Sequence, residues 1–122
     1  MLQNSKVNME AAFSQIHDHW NPRIAAELNG QHVKLVKFKG EFVWHKHIEE
    51  DEMFYVVQGK FKIEFRDKTV ELHEGEFIVV SRGIEHRPVA DEEVSVMLFE
   101  PMTTINTGDQ SGKLTRATLD EV

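Results

Sequence analysis

From Ile24 onward the apolar residues come in short runs of four to eight, separated by Gly, by Asn-Gly or by charged clusters, with no helical period between them. Such a chain has to bury its apolar side chains on strands. The runs predict strands over Ile24–Leu28, His32–Phe38, Phe42–His47, Glu52–Gln58, Phe61–Arg66, Thr69–Leu72, Glu76–Ser81, His86–Val89 and Val94–Glu100. Turns are expected at Gly59, Asp67-Lys68, Gly75, Gly83 and Asp91. Asn29-Gly30 sits between the first two runs, and this dipeptide tolerates the positive φ angles of a tight hairpin turn. Many short strands without intervening helices argue for an all-β sandwich or jelly-roll barrel.

Before this region, Met9, Ala12, Phe13 and Ile16 follow the i, i+3, i+4, i+7 spacing of a short amphipathic helix. The expected organisation is an N-terminal helical extension over residues 1–22, one β-barrel over 23–102 and a polar tail over 103–122. Within the tail, Leu114–Leu119 is expected to add an edge strand. At 122 residues and 40% hydrophobic content, one compact domain accounts for the whole chain.

Composition removes several functions. The sequence has no cysteine, so a metal has to be held by nitrogen and oxygen ligands. A formal charge of -7 and the absence of a basic stripe argue against nucleic acid as a partner. No run reaches the roughly 20 apolar residues of a membrane span, and the N-terminus lacks the pattern of a secretory signal, so the expected location is the cytoplasm. The acidic groups Glu49–Glu52 and Asp91–Glu93 read as solvated loops, Glu52 excepted.

Two His-x-His pairs occur, His17-Asp18-His19 and His45-Lys46-His47. The first falls at a helix end with no third ligand at a useful spacing and reads as surface or capping histidines. His32 and His73 stand alone and read as structural or exposed. The second pair lies in a strand-like run, where alternate side chains share a face and are rooted about 6 to 7 Å apart. Two such imidazoles can converge on one ion at about 2.0 to 2.1 Å. Glu52 follows across a short acidic connection, and His86, just after Gly83, reaches the same spot if the barrel closes.

In this order the residues resemble the two motifs of the cupin family. Gly40, His45-Lys46-His47, Glu52 and Gly59 are similar to the first motif, with the opening gap one residue short. Gly75 through His86 is similar to the second, with Ser81 where the family usually has proline. Ala90 stands where asparagine is frequent. The stretch Glu100–Asp109 resembles the tail of compact bacterial single-domain cupins. The resemblance implies a cupin-type jelly-roll β-barrel with His45, His47, Glu52 and His86 as ligands of one divalent transition metal ion.

Three imidazoles and a carboxylate suit Mn, Fe, Co, Ni, Cu or Zn, and do not discriminate among them. Four protein ligands in a six-coordinate shell leave positions for water or substrate. The resemblance implies a mononuclear metalloenzyme acting on a small polar or anionic metabolite, isomerase- or dioxygenase-like, or else a non-catalytic small-molecule binding module. A third alternative is a metal-stabilised interaction protein. Arg82 and Arg87 flank His86 and either attract an anionic substrate or merely solubilise a turn. Phe54 shares the parity of Glu52 and is a further candidate contact, although a core role suits it as well. No free general base stands out beyond the four ligands. Trp44, Met53, Tyr55 and Val57 have the opposite parity, and an apolar outer face there predicts a homodimer.

Overall fold

The computed structural model describes residues 3–122 and shows one helix and seven strands. The helix α1 spans Met9–Ser14, and the Asn8 side chain caps it by accepting a hydrogen bond from the Ala11 amide at 2.9 Å. Phe13 and Ile16 are buried with Ala25 and Leu35 in a small cluster on the outer face of the sheet, which Val57 and Met97 complete. The helix therefore covers part of the apolar outer face and leaves the rest uncovered.

The strands are β1 (Arg23–Leu28), β2 (Gln31–Glu41), β3 (Glu52–Gln58), β4 (Lys60–Phe65), β5 (Thr69–His73), β6 (Phe77–Val80) and β7 (His86–Pro101). Asn29 and Gly30 both take positive φ, 50° and 80°, and close the β1–β2 hairpin as the dipeptide predicts. The ladder runs β1-β2-β7-β3-β6, while β4 pairs with both β5 and β7, every pairing antiparallel. The two parts fold over a shared core that includes Val36, Phe38, Phe54, Val56, Phe61, Ile63, Leu72 and Val96.

Four expectations need correction. The hydrogen-bonded sheet does not close into a complete barrel: β5 pairs only with β4, and the four-residue β6 only with β3. Closure around the interior is made by packed side chains instead. The two runs expected on either side of a turn at Asp91 form one 16-residue strand, β7. Its ladder with β2 continues across a register shift between Phe38 and Gly40, so Asp91, Glu92 and Glu93 bulge outward into solvent without interrupting the strand. Phe42–His47 is not a strand and makes only an isolated bridge from His45 to His86. Leu114–Leu119 is likewise not a strand; the tail's one β-type pairing with the sheet is a parallel bridge between Glu121 and Ile24.

Candidate metal centre

β2 ends at Glu41, and the chain then crosses the open end of the sheet as an irregular segment carrying His45 and His47. Two backbone hydrogen bonds between His45 and His86, at 3.1 and 2.9 Å, fasten this segment to the start of β7. The His47 carbonyl accepts from the Gly83 amide at 2.8 Å, which ties in the turn before His86. Glu52 opens β3 and points inward with Phe54 and Val56. These links bring His45, His47, Glu52 and His86 together, all buried, with one ligand atom from each lying within 4.8 Å of all the others.

The backbone also selects which nitrogens face the centre. His45 Nδ1 lies 2.9 Å from the Val43 carbonyl and His86 Nδ1 2.9 Å from the Ile84 carbonyl, so each donates there and leaves its Nε2 lone pair free. Glu52 Oε1 approaches His47 Nε2 at 3.2 Å and His86 Nε2 at 3.5 Å. None of these three atoms has a hydrogen-bond partner of good geometry. Buried polar atoms are almost always satisfied, and three unsatisfied lone-pair donors converging on one point fit a metal ion. One such ion can be held by this group.

Burial, reinforced by the neighbouring His86, depresses the His45 pKa to about 4, which keeps that ring neutral and ready to ligate. Burial also pulls His47 down, but the adjacent Glu52 carboxylate outweighs it and raises His47 above its ordinary value. Burial would raise Glu52; contact with His47 and His86 overrides this and holds it well below the usual range, so it is ionised.

The tail completes the enclosure, and nothing local in the sequence announces this. The Lys46 amide donates to Asp109 Oδ1, and the Asp109 amide donates to the Lys46 carbonyl, both at 3.0 Å. Lys46 thereby satisfies its backbone without a strand partner, which is why the His-x-His segment need not be a strand. Gly108 approaches so closely that a Cβ there would meet the Lys46 carbonyl and lie 3.0 Å from the His45 ring. Its φ of 57° is also left-handed.

A second buried charge group adjoins the first. Lys34 Nζ donates to Glu100 Oε2 at 2.7 Å and to the Thr104 carbonyl at 3.4 Å, with both side chains fully buried. The other oxygen, Glu100 Oε1, has no partner with good geometry, and the Glu100 carboxyl abuts that of Glu52. Two carboxyls in contact share a hydrogen bond only when one is protonated. Burial and the Glu52 charge raise Glu100 well above its usual value despite Lys34, so Glu100 keeps the proton and Glu52 the charge. Sequence reading missed this pair, though a signal existed: Lys34 has the parity of Val36 and Phe38, and Glu100 that of Val96 and Leu98. Charges on the inward face of a strand are rarely incidental.

Beside His45, Glu52 and Glu100 lies a cavity of about 20 Å³, walled mainly by Trp20, Phe38, Phe42, Phe54 and Leu98. Phe54 therefore faces it, with its ring 6.0 Å from that of His86. The two candidate arginines do not. Arg82 is exposed and paired with Asp51, at 3.3 Å from Nε. Arg87 reaches Glu64 at 2.7 Å and Glu41 at 3.0 Å, and lies over the Trp44 ring with Arg66. Carboxylates already occupy both guanidiniums on the outside of the molecule. Ala90 is buried in the core and does not line the cavity. His19 pairs with Glu93 at the surface, His73 is exposed, and His32 is buried with Nδ1 unpartnered.

Comparison with known proteins agrees with this geometry. The family described as the cupin domain matches residues 32–102, more than half of the chain. A cupin-2 domain protein from Shewanella frigidimarina, known from a crystal structure, is 46% identical, with a TM-score of 0.77 over 78% of this chain and 93% of that one. Protein NMB1881 from Neisseria meningitidis is 30% identical, with a TM-score of 0.74 over 80% of this chain and 99% of that one. Protein YdbB of Bacillus subtilis is 38% identical over 63 residues; the match spans 51% of this chain and 56% of YdbB.

Proposed function

Because the chain belongs to the cupin domain family, we propose that it is a mononuclear metalloprotein in which His45, His47, Glu52 and His86 hold one divalent transition metal ion, and that it acts as an enzyme on a small, uncharged molecule. The observation that carries this is the convergence of four buried ligand atoms, three of them without any other partner. Bound there, a metal ion would supply Lewis-acid or oxygen-dependent chemistry at its open positions.

The surrounding residues supply the rest. Glu52 keeps a negative charge toward the ion, and Lys34 anchors Glu100 so that its proton-bearing carboxyl faces Glu52 and the cavity. Glu100 thus answers the need for an acid–base group outside the ligand set. The aromatic wall excludes bulk water, and no arginine enters it, which favours an uncharged molecule over an anionic one. A non-catalytic binding module uses the same cavity without needing Glu100; turnover lost in Glu100→Gln with metal retained separates the two readings.

Metal binding itself is tested by stripping the protein with chelator and titrating it with zinc or cobalt. One equivalent per chain is expected. His47 holds its proton to higher pH than a free imidazole, so the metal has to displace that proton in the acidic range. Affinity therefore rises with pH, by about tenfold per unit below the His47 pKa, and levels off above it. Affinity independent of pH between 5 and 7 would show that His47 is not a ligand.

The uncovered apolar surface on β6 supports a homodimer as the working form. Phe77 and Val79 are 61% and 53% exposed, beside Tyr55 and Met53 of β3, and the outer edge of β6 has no strand partner. Light scattering is expected to give the mass of two chains for the native protein and of one for Phe77→Glu/Val79→Glu. A monomeric native protein removes the dimer from the proposal. Among the described residues, no helix is long and apolar enough to cross a membrane.

A further inference from the structure

Trp20 occupies an unusual position. It belongs to the loop before β1, outside the metal-bearing segments, yet its ring is buried at the cavity wall. It stacks on Phe38 with centroids 4.5 Å apart and on Phe42 at 4.6 Å, at interplanar angles of 18° and 23°. The indole NH donates to the Lys39 carbonyl at 2.9 Å, and the Trp20 amide to the Lys37 carbonyl at 2.9 Å. Its backbone is left-handed, with φ of 61°, a conformation that non-glycine residues adopt rarely. Two hydrogen bonds and two stacks hold it there, and Asn106 from the tail adds a contact to its carbonyl at 3.4 Å.

The consequence is spatial. His45 and Glu52, two of the four residues of the centre, line the cavity, so the cavity is the space that adjoins the centre. Its volume of about 20 Å³ holds roughly one water. The slot between Phe38 and Phe42 has the shape of a flat ring, and the ring that fills it belongs to the protein itself.

We infer that Trp20 is the specificity-determining residue of the centre: by filling the slot between Phe38 and Phe42 it restricts the metal's ligands to molecules of a few atoms and excludes planar rings. This rests on the metal-binding reading above. Trp20 touches neither charge nor proton in the centre, so its removal changes which molecules enter while leaving the ligand set in place.

The test uses the full-length protein loaded with cobalt, whose visible absorption reports a change of ligand, titrated separately with azide and imidazole. Azide is expected to perturb the spectrum of the native protein, and imidazole to leave it unchanged. In Trp20→Ala, the ratio of imidazole affinity to azide affinity should rise at least about tenfold over that of the native protein. Trp20→Phe, which keeps a ring in the core, should fall between the two and carries the test if the alanine variant does not fold. An equal ratio in native and substituted proteins, with one cobalt bound in each, overturns this inference and leaves the metal site standing. Failure of the folded native protein to take up cobalt overturns the metal reading and the inference with it.

Discussion

Alanine at position 86 is expected to abolish the stabilisation of this protein by divalent metal. An ion bound only by the native state stabilises it by RT ln(1 + [L]/Kd), about 4 kcal/mol at a free concentration 1,000 times the dissociation constant. For a domain of this size that is a rise of roughly 10 to 20 °C in Tm. His86 is fully buried, its Nδ1 is committed to the Ile84 carbonyl, and its Nε2 faces Glu52 with no other partner. Removing it takes away one of four ligands and leaves space beside the centre. The relevant quantity is the difference in Tm with and without metal, since it cancels whatever stability the metal-free variant loses through its lost packing. Differential scanning calorimetry should show the full rise in the native protein and less than about 2 °C in His86→Ala, allowing for weak residual binding. A variant that keeps the native rise would remove His86 from the ligand set.

The second large effect concerns Lys34 and Glu100, and it is unequal between the partners. Removing one partner of this buried hydrogen-bonded pair leaves the other unsatisfied, at a cost of about 1–3 kcal/mol for a neutral group and about 3–5 kcal/mol for a charged one. Glu100 already holds its proton through burial and the Glu52 charge, so loss of Lys34 leaves a neutral group behind. Loss of Glu100 leaves the buried Lys34 Nζ with only the Thr104 carbonyl at 3.4 Å. Glu100→Leu should therefore destabilise the metal-free protein by about 3–5 kcal/mol, and Lys34→Met by less, about 2 kcal/mol. The double variant Lys34→Met/Glu100→Leu replaces the pair with apolar groups and should lie within about 1 kcal/mol of native. Urea unfolding of the three variants measures this order. Losses in the double variant equal to the sum of the singles would mean that the two side chains act independently.

The course of these residues shows what a sequence makes visible. The grouping of His45, His47, Glu52 and His86 was legible because Glu52 and His86 each open a strand, and these local markers survive in the structure. The hairpin at Asn29-Gly30 was legible for the same reason. What was not legible depends on partners distant in the chain. Phe42–His47 has the alternation of a strand, but its backbone is satisfied by His86 and by Asp109, 63 residues beyond Lys46. Asp91–Glu93 has the composition of a turn, yet the β2 ladder carries the strand past it. The arginines flanking His86 were attractive as anion binders because sequence shows adjacency and hides the carboxylates of Asp51, Glu64 and Glu41 that neutralise them.

The strap formed by Gly108 and Asp109 over Lys46 lies outside the segment that matches the family, and so does Trp20. A fragment trimmed to residues 32–102 would keep His45, His47, Glu52 and His86 and yet lose the cover on one side and the wall on the other. The four converging side chains and the enclosure around them thus come from separable parts of the chain. Two proteins alike through the matched region can diverge in what reaches the ion, simply by changing their ends.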